Sequence, residues 1–345
     1  MKRSVLLIYT GGTIGMMEDL ETRALKPFDF DHLFVEVPEL KRFDLRLETY
    51  SFEPLIDSSN VQPRHWAEIA RVIRDNYSAF DGFVVLHGTD TMAYTASALS
   101  FMLRGLSKPV ILTGSQLPIG MLRTDGKENL ISAIQMAGLY RDNRPRIAEV
   151  AVFFGSCLYR GNRTHKYSTE DFEAIHSPNL PPLAEVGIHI QFSKDLHSPE
   201  VEEHFSIQEE VEERVAVMKL FPGITKTVVE SICNIPDLKG LIIETFGSGN
   251  ATTEPWFINV LNTTRKRGVR VVNVTQCNKG FVEQGRYATS GAFQEMGIVP
   301  AVDMTLEAAL TKMMILLKQD LSEEAFERAM VTSIVGELTS YSSLV

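Results

Sequence analysis

Long apolar runs are missing from this chain. No stretch of its 345 residues approaches the ~18–20 consecutive apolar positions of a membrane-spanning helix, so it is not expected to cross a bilayer. Export is not expected either: after Lys2, Arg3 and Ser4 the apolar run Val5 to Tyr9 is short and passes into Thr10-Gly11-Gly12-Thr13 without a small-residue cleavage site. It reads instead as a first strand. Cysteine is scarce, and Cys157, Cys233 and Cys277 lie far apart, with neither a disulfide framework nor the close pairs of a zinc site; a reducing cytoplasm fits best. With eight histidines in no His-x-x-x-His pattern, no protein-built metal site is expected, and no cofactor. Positive charge is also deficient: 34 Lys and Arg against 44 Asp and Glu give a net charge of −10, and the basic residues form no stripe, which disfavours nucleic acid as a partner. Small neutral or zwitterionic ligands fit better.

Apolar, β-rich runs alternate with amphipathic helical stretches, the pattern of a parallel sheet covered by helices, so the fold class is α/β. Strands are expected at Val5 to Tyr9, Gly82 to Leu86, Pro109 to Thr113 and Glu149 to Phe154, nearly continuously apolar as in strands buried on both faces. Helices are expected at Arg64 to Tyr77, Ala93 to Leu103 and Asn129 to Tyr140; the stripe Trp66, Ile69, Ala70 and Ile73 reads as core-facing. These elements compose a larger N-terminal parallel-sheet domain, flavodoxin- or Rossmann-like, over residues 1–193. Residues 194–214, rich in glutamate, read as an acidic linker. A smaller α/β domain over 215–345 then has strands near Val215 to Leu220, Gly240 to Thr245 and Val269 to Val274, and helices near Glu254 to Lys266 and Leu306 to Lys318.

In such sheets chemistry collects beyond the carboxyl ends of the strands. Thr10-Gly11-Gly12-Thr13-Ile14-Gly15 follows the first strand and matches neither dinucleotide nor phosphate-loop spacing. His87-Gly88-Thr89-Asp90-Thr91-Met92 lies at a strand-to-helix junction, where Asp90 and Thr91 could equally be helix caps. Ile56-Asp57-Ser58-Ser59-Asn60 offers small polar groups suited to an amino acid's ammonium and carboxylate. The basic run Arg160 to Lys166 could be surface decoration or part of a site. A threonine hydroxyl is a weak nucleophile that needs a nearby base. Lys166 held against Asp90 could relay a proton from Thr89, and glycine-loop amides could stabilise an oxyanion.

Thr-Gly-Gly-Thr-Ile-Gly at 10–15 and His-Gly-Thr-Asp-Thr-Met at 87–92 resemble the two signatures of L-asparaginases. The likeness extends through Leu55 to Ser59, Thr113 to Gln116, Asp125-Gly126 with Asn129-Leu130, Tyr159 to Thr164, Gly247 to Asn250 and Thr275 to Cys277. Asp57-Ser58-Ser59 and Tyr159 to Thr164 are similar to the cytoplasmic, type I branch. The resemblance implies hydrolysis of L-asparagine to L-aspartate and ammonia, with weak glutaminase activity at most. Thr13 would be the nucleophile and Thr89, Asp90 and Lys166 the second catalytic group. Asp57, Ser58, Ser59, Thr89 and Asp90, with the backbone of Ser115, would form the substrate-binding set. It also implies a homodimer or a homotetramer built as a dimer of dimers, each site completed by a partner's C-terminal domain with Gly247 to Asn250 at the seam. An effector pocket would include Asn250, Thr275, Gln276 and Cys277. Two other readings share these motifs: the amide-hydrolysing subunit of a tRNA-dependent amidotransferase, whose usual extra N-terminal domain has no counterpart ahead of the strand at residue 4, and a catalytically weak amino-acid sensor.

Two departures stand out. The family usually carries a catalytic tyrosine on a mobile lid about ten residues past the first threonine; Met16 to Pro27 contains none, and Leu25 occupies its place. Gly15 to Pro27 still reads as a closing loop. Glu244 and His165 stand where an arginine and a threonine contact the effector, so cooperative activation by asparagine is not expected.

Overall fold

The computed structural model describes residues 2–18, 25–27, 37–193, 204–285 and 288–340. Its contacts divide the chain into two compact units, Met1–Glu209 and Glu210–Val345. Every position from Val5 to Tyr9 is apolar and buried, so this segment can satisfy its backbone only inside a sheet. It forms β1, Arg3–Tyr9. The remaining strands of the first sheet are β2 (Leu45–Ser51), β3 (Gly82–Leu86), β4 (Val110–Thr113), β5 (Val150–Phe154), β6 (Cys157–Arg160), β7 (Ala184–Val186) and β8 (Ile190–Phe192). Their order across the sheet is β8-β7-β6-β5-β4-β3-β1-β2. From β2 to β5 all neighbours are parallel, whereas β6, β7 and β8 fold back antiparallel. The sheet is therefore mixed, with its parallel part where the apolar runs predict it.

Helices α1 (Pro63–Asn76), α2 (Met92–Met102) and α3 (Gly126–Ala137) connect the parallel strands. Pro63 pre-sets the first turn of α1, where the side chain of His65 accepts the Gln62 N–H, and Trp66, Ile69, Ala70 and Ile73 are buried as their spacing predicts. Alternate residues of β1, Val5, Leu7 and Tyr9, join Val84, Leu86, Ile111 and the inner face of α3 in one core cluster. Each such side chain contributes about 1.5–3 kcal/mol on burial.

The second unit repeats the principle at smaller scale. Strands β9 (Val215–Lys219), β10 (Gly240–Thr245), β11 (Arg270–Thr275) and β12 (Val299–Pro300) form a fully parallel sheet in that order. Helices α4 (Lys226–Cys233), α5 (Pro255–Lys266), α6 (Ala288–Glu295), α7 (Leu306–Leu317) and α8 (Glu323–Val331) accompany it. Among the described residues no helix is long and apolar enough to cross a membrane.

The acidic segment is not simply a solvated connection. Residues 194–203 lie outside the described residues, but Ser206–Ile207 pairs with Leu103–Arg104, and Glu209 accepts from Arg71 and Arg74 of α1. Glu209 is matched to particular cations of α1, and Glu212 pairs with Arg214, which composition alone does not reveal.

Candidate active site

Between β1 and β3 the chain reverses its direction of travel across the sheet: β1 leads out to β2 on one side, β3 to β4 on the other. The loops leaving these strands diverge and open a crevice, the usual ligand position in an open α/β sheet. Register aligns the carboxyl ends, with Tyr9 opposite Leu86 and Leu86 opposite Thr113.

The glycine loop sits in that crevice under tight steric control. Gly11 has φ +132°, and a Cβ there would meet the Ile56 carbonyl oxygen at 2.2 Å; Gly12 has φ +91°, and its Cβ would meet the Gly88 nitrogen at 2.5 Å. Only glycine allows the backbones of the three loops to touch. Gly88 is in turn closed down by Ser58, whose Oγ would lie 2.4 Å from an added Cβ. Thr13 is thereby delivered to the first position of a one-turn 3-10 helix, Thr13–Gly15, half-buried beside the Gly88 loop. Tyr9, at the end of β1, reaches underneath and donates its hydroxyl to the Gly15 carbonyl at 2.9 Å.

Thr89, Asp90 and Lys166 come together across 77 residues of chain. Lys166 Nζ donates to Thr89 Oγ1 at 2.9 Å and to Asp90 Oδ1 at 2.5 Å. Lys166 is supplied by the short antiparallel pair His165–Lys166 and Ile175–His176. Neither Asp90 nor Thr91 caps α2, for no side-chain cap bond forms at its start; Thr91 Oγ1 donates to the Ser58 carbonyl at 2.7 Å and Asp90 faces Lys166. The capping reading of this junction is thus replaced by one in which both side chains tie loops together. Surface decoration is likewise wrong for the run before Lys166: Arg160, Asn162, Arg163 and Thr164 are buried, and Arg160 Nε donates to Glu149 at 2.5 Å.

Asp57 begins the turn Ser58–Asn60, its Oδ1 accepting the Ser59 N–H at 2.9 Å and the Ser59 hydroxyl at 2.8 Å. These bonds, the backbone one foremost, hold the Asp57 carboxyl below its usual range and keep it anionic. Ser115 is buried, its hydroxyl donating to the Leu117 carbonyl at 2.6 Å. Its loop is moulded by Asp125, which accepts the N–H groups of Gln116 and Leu117. His87 lies beneath the site, fully buried and pushed down to about 4 by desolvation, hence neutral. Its Nδ1 sits 2.7 Å from the Gly88 carbonyl and must donate there, so Nε2 accepts from Thr95, which accepts from Trp66 in turn.

The remaining expected residues lie in the second unit. Thr275 donates to the Gly247 carbonyl and accepts the Cys277 N–H at 3.0 Å, Gln276 Nε2 donates to the carbonyls of Leu220 and Glu244, and Asn250 bridges back to Phe246. They gather at the carboxyl ends of β10 and β11. Of the expected lid, residues 19–24 lie outside the described residues; the flanking Met16–Glu18 and Leu25–Pro27 pair antiparallel, with Leu25 opposite Glu18.

Two residues at the site were not singled out for a role from sequence. Tyr9 is the last residue of an apolar strand and reads as core. Gln116 stands inside a recognised motif, but its partners, Thr89 and the Asp171 carbonyl, are 27 and 55 residues away.

Comparison with known proteins places the chain in one family. Residues 4–198 match the family model for the asparaginase N-terminal domain, and residues 214–330 that for the glutaminase/asparaginase C-terminal domain. The chain is 43% identical over 339 residues to L-asparaginase 1 of Escherichia coli (strain K12), covering 98% of both. It is 39% identical over 362 residues to a 60 kDa lysophospholipase of Mus musculus, covering 98% of this chain and 63% of that protein. Among solved structures it superposes on L-asparaginase I of Vibrio cholerae with a TM-score of 0.88 and 40% identity, covering 98% of this chain and all of the other.

Proposed function

The chain belongs to the asparaginase family, and from that premise we propose that it hydrolyses L-asparagine to L-aspartate and ammonia through a threonyl ester. The observation that carries this reading is the Lys166 ammonium held between Thr89 and Asp90 beside the loop that presents Thr13.

Thr13 Oγ1 attacks the side-chain amide carbon. Its proton passes to the departing nitrogen, the C–N bond breaks, and ammonia leaves an acyl ester. Water then attacks the ester and returns the proton to Thr13. Thr89, with Lys166 and Asp90 behind it, is the proton-handling group, a role typically worth 10²–10⁴ in rate. In this reading peptide N–H groups of the Gly11–Gly12 loop stabilise negative charge on the carbonyl oxygen. Asp57, its carboxylate further favoured by the Ser59 bonds, holds the substrate ammonium together with Asp90, while Ser58 and Ser59 take the carboxylate and the Ser115 backbone the side-chain amide. A longer substrate places its amide one methylene further out, so glutamine is turned over more weakly.

A homodimer or dimer of dimers, with the Asn250 and Thr275–Cys277 region at the subunit seam, and a cytoplasmic setting complete the proposal. It is tested by ammonia release from L-asparagine and L-glutamine with the purified protein and its Thr89→Val variant. Rapid, Thr89-dependent release from asparagine is expected. Saturable asparagine binding without ammonia would overturn the enzyme reading in favour of a sensor.

A further inference from the structure

The loop that follows β4 spends its hydrogen-bonding groups unevenly. Asp125 takes its donors: Oδ1 accepts the N–H groups of Gln116 and Leu117, each at 3.1 Å, and Oδ2 accepts that of Gln116 at 2.9 Å. Two carbonyls are taken as well. The Gly114 oxygen accepts from Asn129 Nδ2 at 2.9 Å, and the Leu117 oxygen accepts from the hydroxyls of Ser115 and Thr124 at 2.6 and 3.1 Å. The Ser115 carbonyl accepts from no described residue, although Ser115 is only 2% exposed. A backbone acceptor so enclosed is costly unless a ligand brings a donor to it. Asp125 occupies the N-cap position of α3, yet its side chain makes no cap bond there. Asn129, one turn along α3, donates to Asp125 Oδ2 at 3.2 Å with the same nitrogen that reaches the Gly114 carbonyl, which braces the carboxylate against the loop.

We propose that Asp125 is a positioning residue that sets the preference for a carboxamide over a carboxylate at the side-chain end of the substrate. This rests on the reading in which the Ser115 backbone takes the side-chain amide. With the Gln116 and Leu117 N–H groups turned into Asp125, the loop meets the substrate with the Ser115 carbonyl and without those two hydrogens. A carboxamide brings N–H groups of its own and satisfies the carbonyl. The carboxylate of the product brings only lone pairs, so it leaves the carbonyl unpaired and sets acceptor against acceptor. The product is therefore held more weakly than the substrate and leaves. Without Asp125 the two N–H groups are released, and a carboxylate gains donors.

The test measures binding of L-asparagine and L-aspartate by calorimetry at neutral pH to the full-length Thr13→Ala protein, in which turnover is blocked. L-Asparagine is expected to bind about tenfold more tightly than L-aspartate, the scale set by one buried acceptor left unpaired. Adding Asp125→Ala, which frees both N–H groups, is expected to reduce that preference to about twofold or less, chiefly by tightening L-aspartate. Adding the isosteric Asp125→Asn instead, whose amide oxygen still accepts from the loop, is expected to keep the preference within about threefold of its original value. A preference that survives Asp125→Ala while both affinities fall together would overturn the proposal and leave Asp125 merely structural. An equal loss of preference in Asp125→Asn would overturn it too, by assigning the effect to charge alone. Ammonia release from L-asparagine is scored separately on the protein with Thr13 intact. Its absence would remove the hydrolase reading, while the two binding constants would still decide the role of Asp125.

Discussion

Gly15→Ala is the substitution in which core packing and the site meet. A Cβ at position 15 would lie 2.0 Å from the Tyr9 hydroxyl oxygen, 2.1 Å from its Cζ and 2.4 Å from its Cε2. Tyr9 is fully buried among Val5, Leu7, Val84 and Ile14, and its hydroxyl is already spent on the Gly15 carbonyl, so the ring has nowhere to retreat. Overpacking of this kind costs about 1–3 kcal/mol, and loss of the Tyr9–Gly15 bond about 1 more, for a total of roughly 2–4 kcal/mol. The backbone at Gly15 is not in the left-handed region, so the obstacle is Tyr9 alone. Removing it should remove the penalty: in a Tyr9→Val background Gly15→Ala is expected to cost less than about 1 kcal/mol. Urea denaturation reads both numbers, followed by Trp66 fluorescence in a Trp256→Phe protein so that only the first unit reports. Activity should fall with stability in the single variant, because Thr13 starts the same turn. An equal cost of Gly15→Ala in both backgrounds would refute the reasoning.

Lys166→Met removes the shared partner of Thr89 and Asp90 and is expected to lower the ammonia-release rate by about 10²–10⁴, while thermal unfolding shows a stability change of about 1 kcal/mol, because Asp90 is exposed and stays solvated once the ammonium is gone. His87 binds its proton only at about 4 in the fold against 6.5 when unfolded, so stability is complete above pH 6.5 and declines as pH falls towards 4, by roughly 3 kcal/mol at 1.36 kcal/mol per pH unit. Urea midpoints measured between these pH values should fall less steeply for His87→Asn than for wild type. In the second unit Lys312 and Glu337 form a fully buried pair 2.6 Å apart, and Glu337 also accepts the N–H groups of Ile334 and Val335. Glu337→Gln is expected to cost about 3–5 kcal/mol by leaving the ammonium unpaired, measured by denaturation of the second unit. Burial opposes ionisation of Glu337 but the Lys312 charge outweighs it and holds the carboxyl below 4.5, so this contribution is present above pH 4.5 and lost below.

The parallel strands were legible because burial on both faces demands unbroken apolar runs. Gly82–Leu86 and Gly240–Thr245 were read to the residue, and Val5 to Tyr9 fell short by the polar Arg3 and Ser4, whose Arg3 pairs with Asp81. Strand β2 escaped notice because it lies at the sheet edge with most positions exposed, so Leu45-Arg46-Leu47-Glu48-Thr49 carries little apolar signal. The antiparallel β6 to β8 are too short and half-polar to stand out from loops. Helix α8, Glu-Glu-Ala-Phe-Glu-Arg-Ala-Met-Val, buries only Phe326 and Met330, a stripe too narrow to read without its partner α7. At the site, motifs with local chemistry were readable, among them the glycine loop and the Thr89-Asp90 dipeptide. Tyr9 and Gln116 were not, since their roles depend on which distant backbone the fold brings to them.

The most direct test of the central proposal is to quench the protein with acid during turnover of L-asparagine and map the covalent adduct by peptide mass spectrometry. An aspartyl ester on the peptide containing Thr13, absent from Thr13→Ala, is the predicted result; an adduct on Thr89, or an acyl adduct that survives Thr13→Ala, would contradict it.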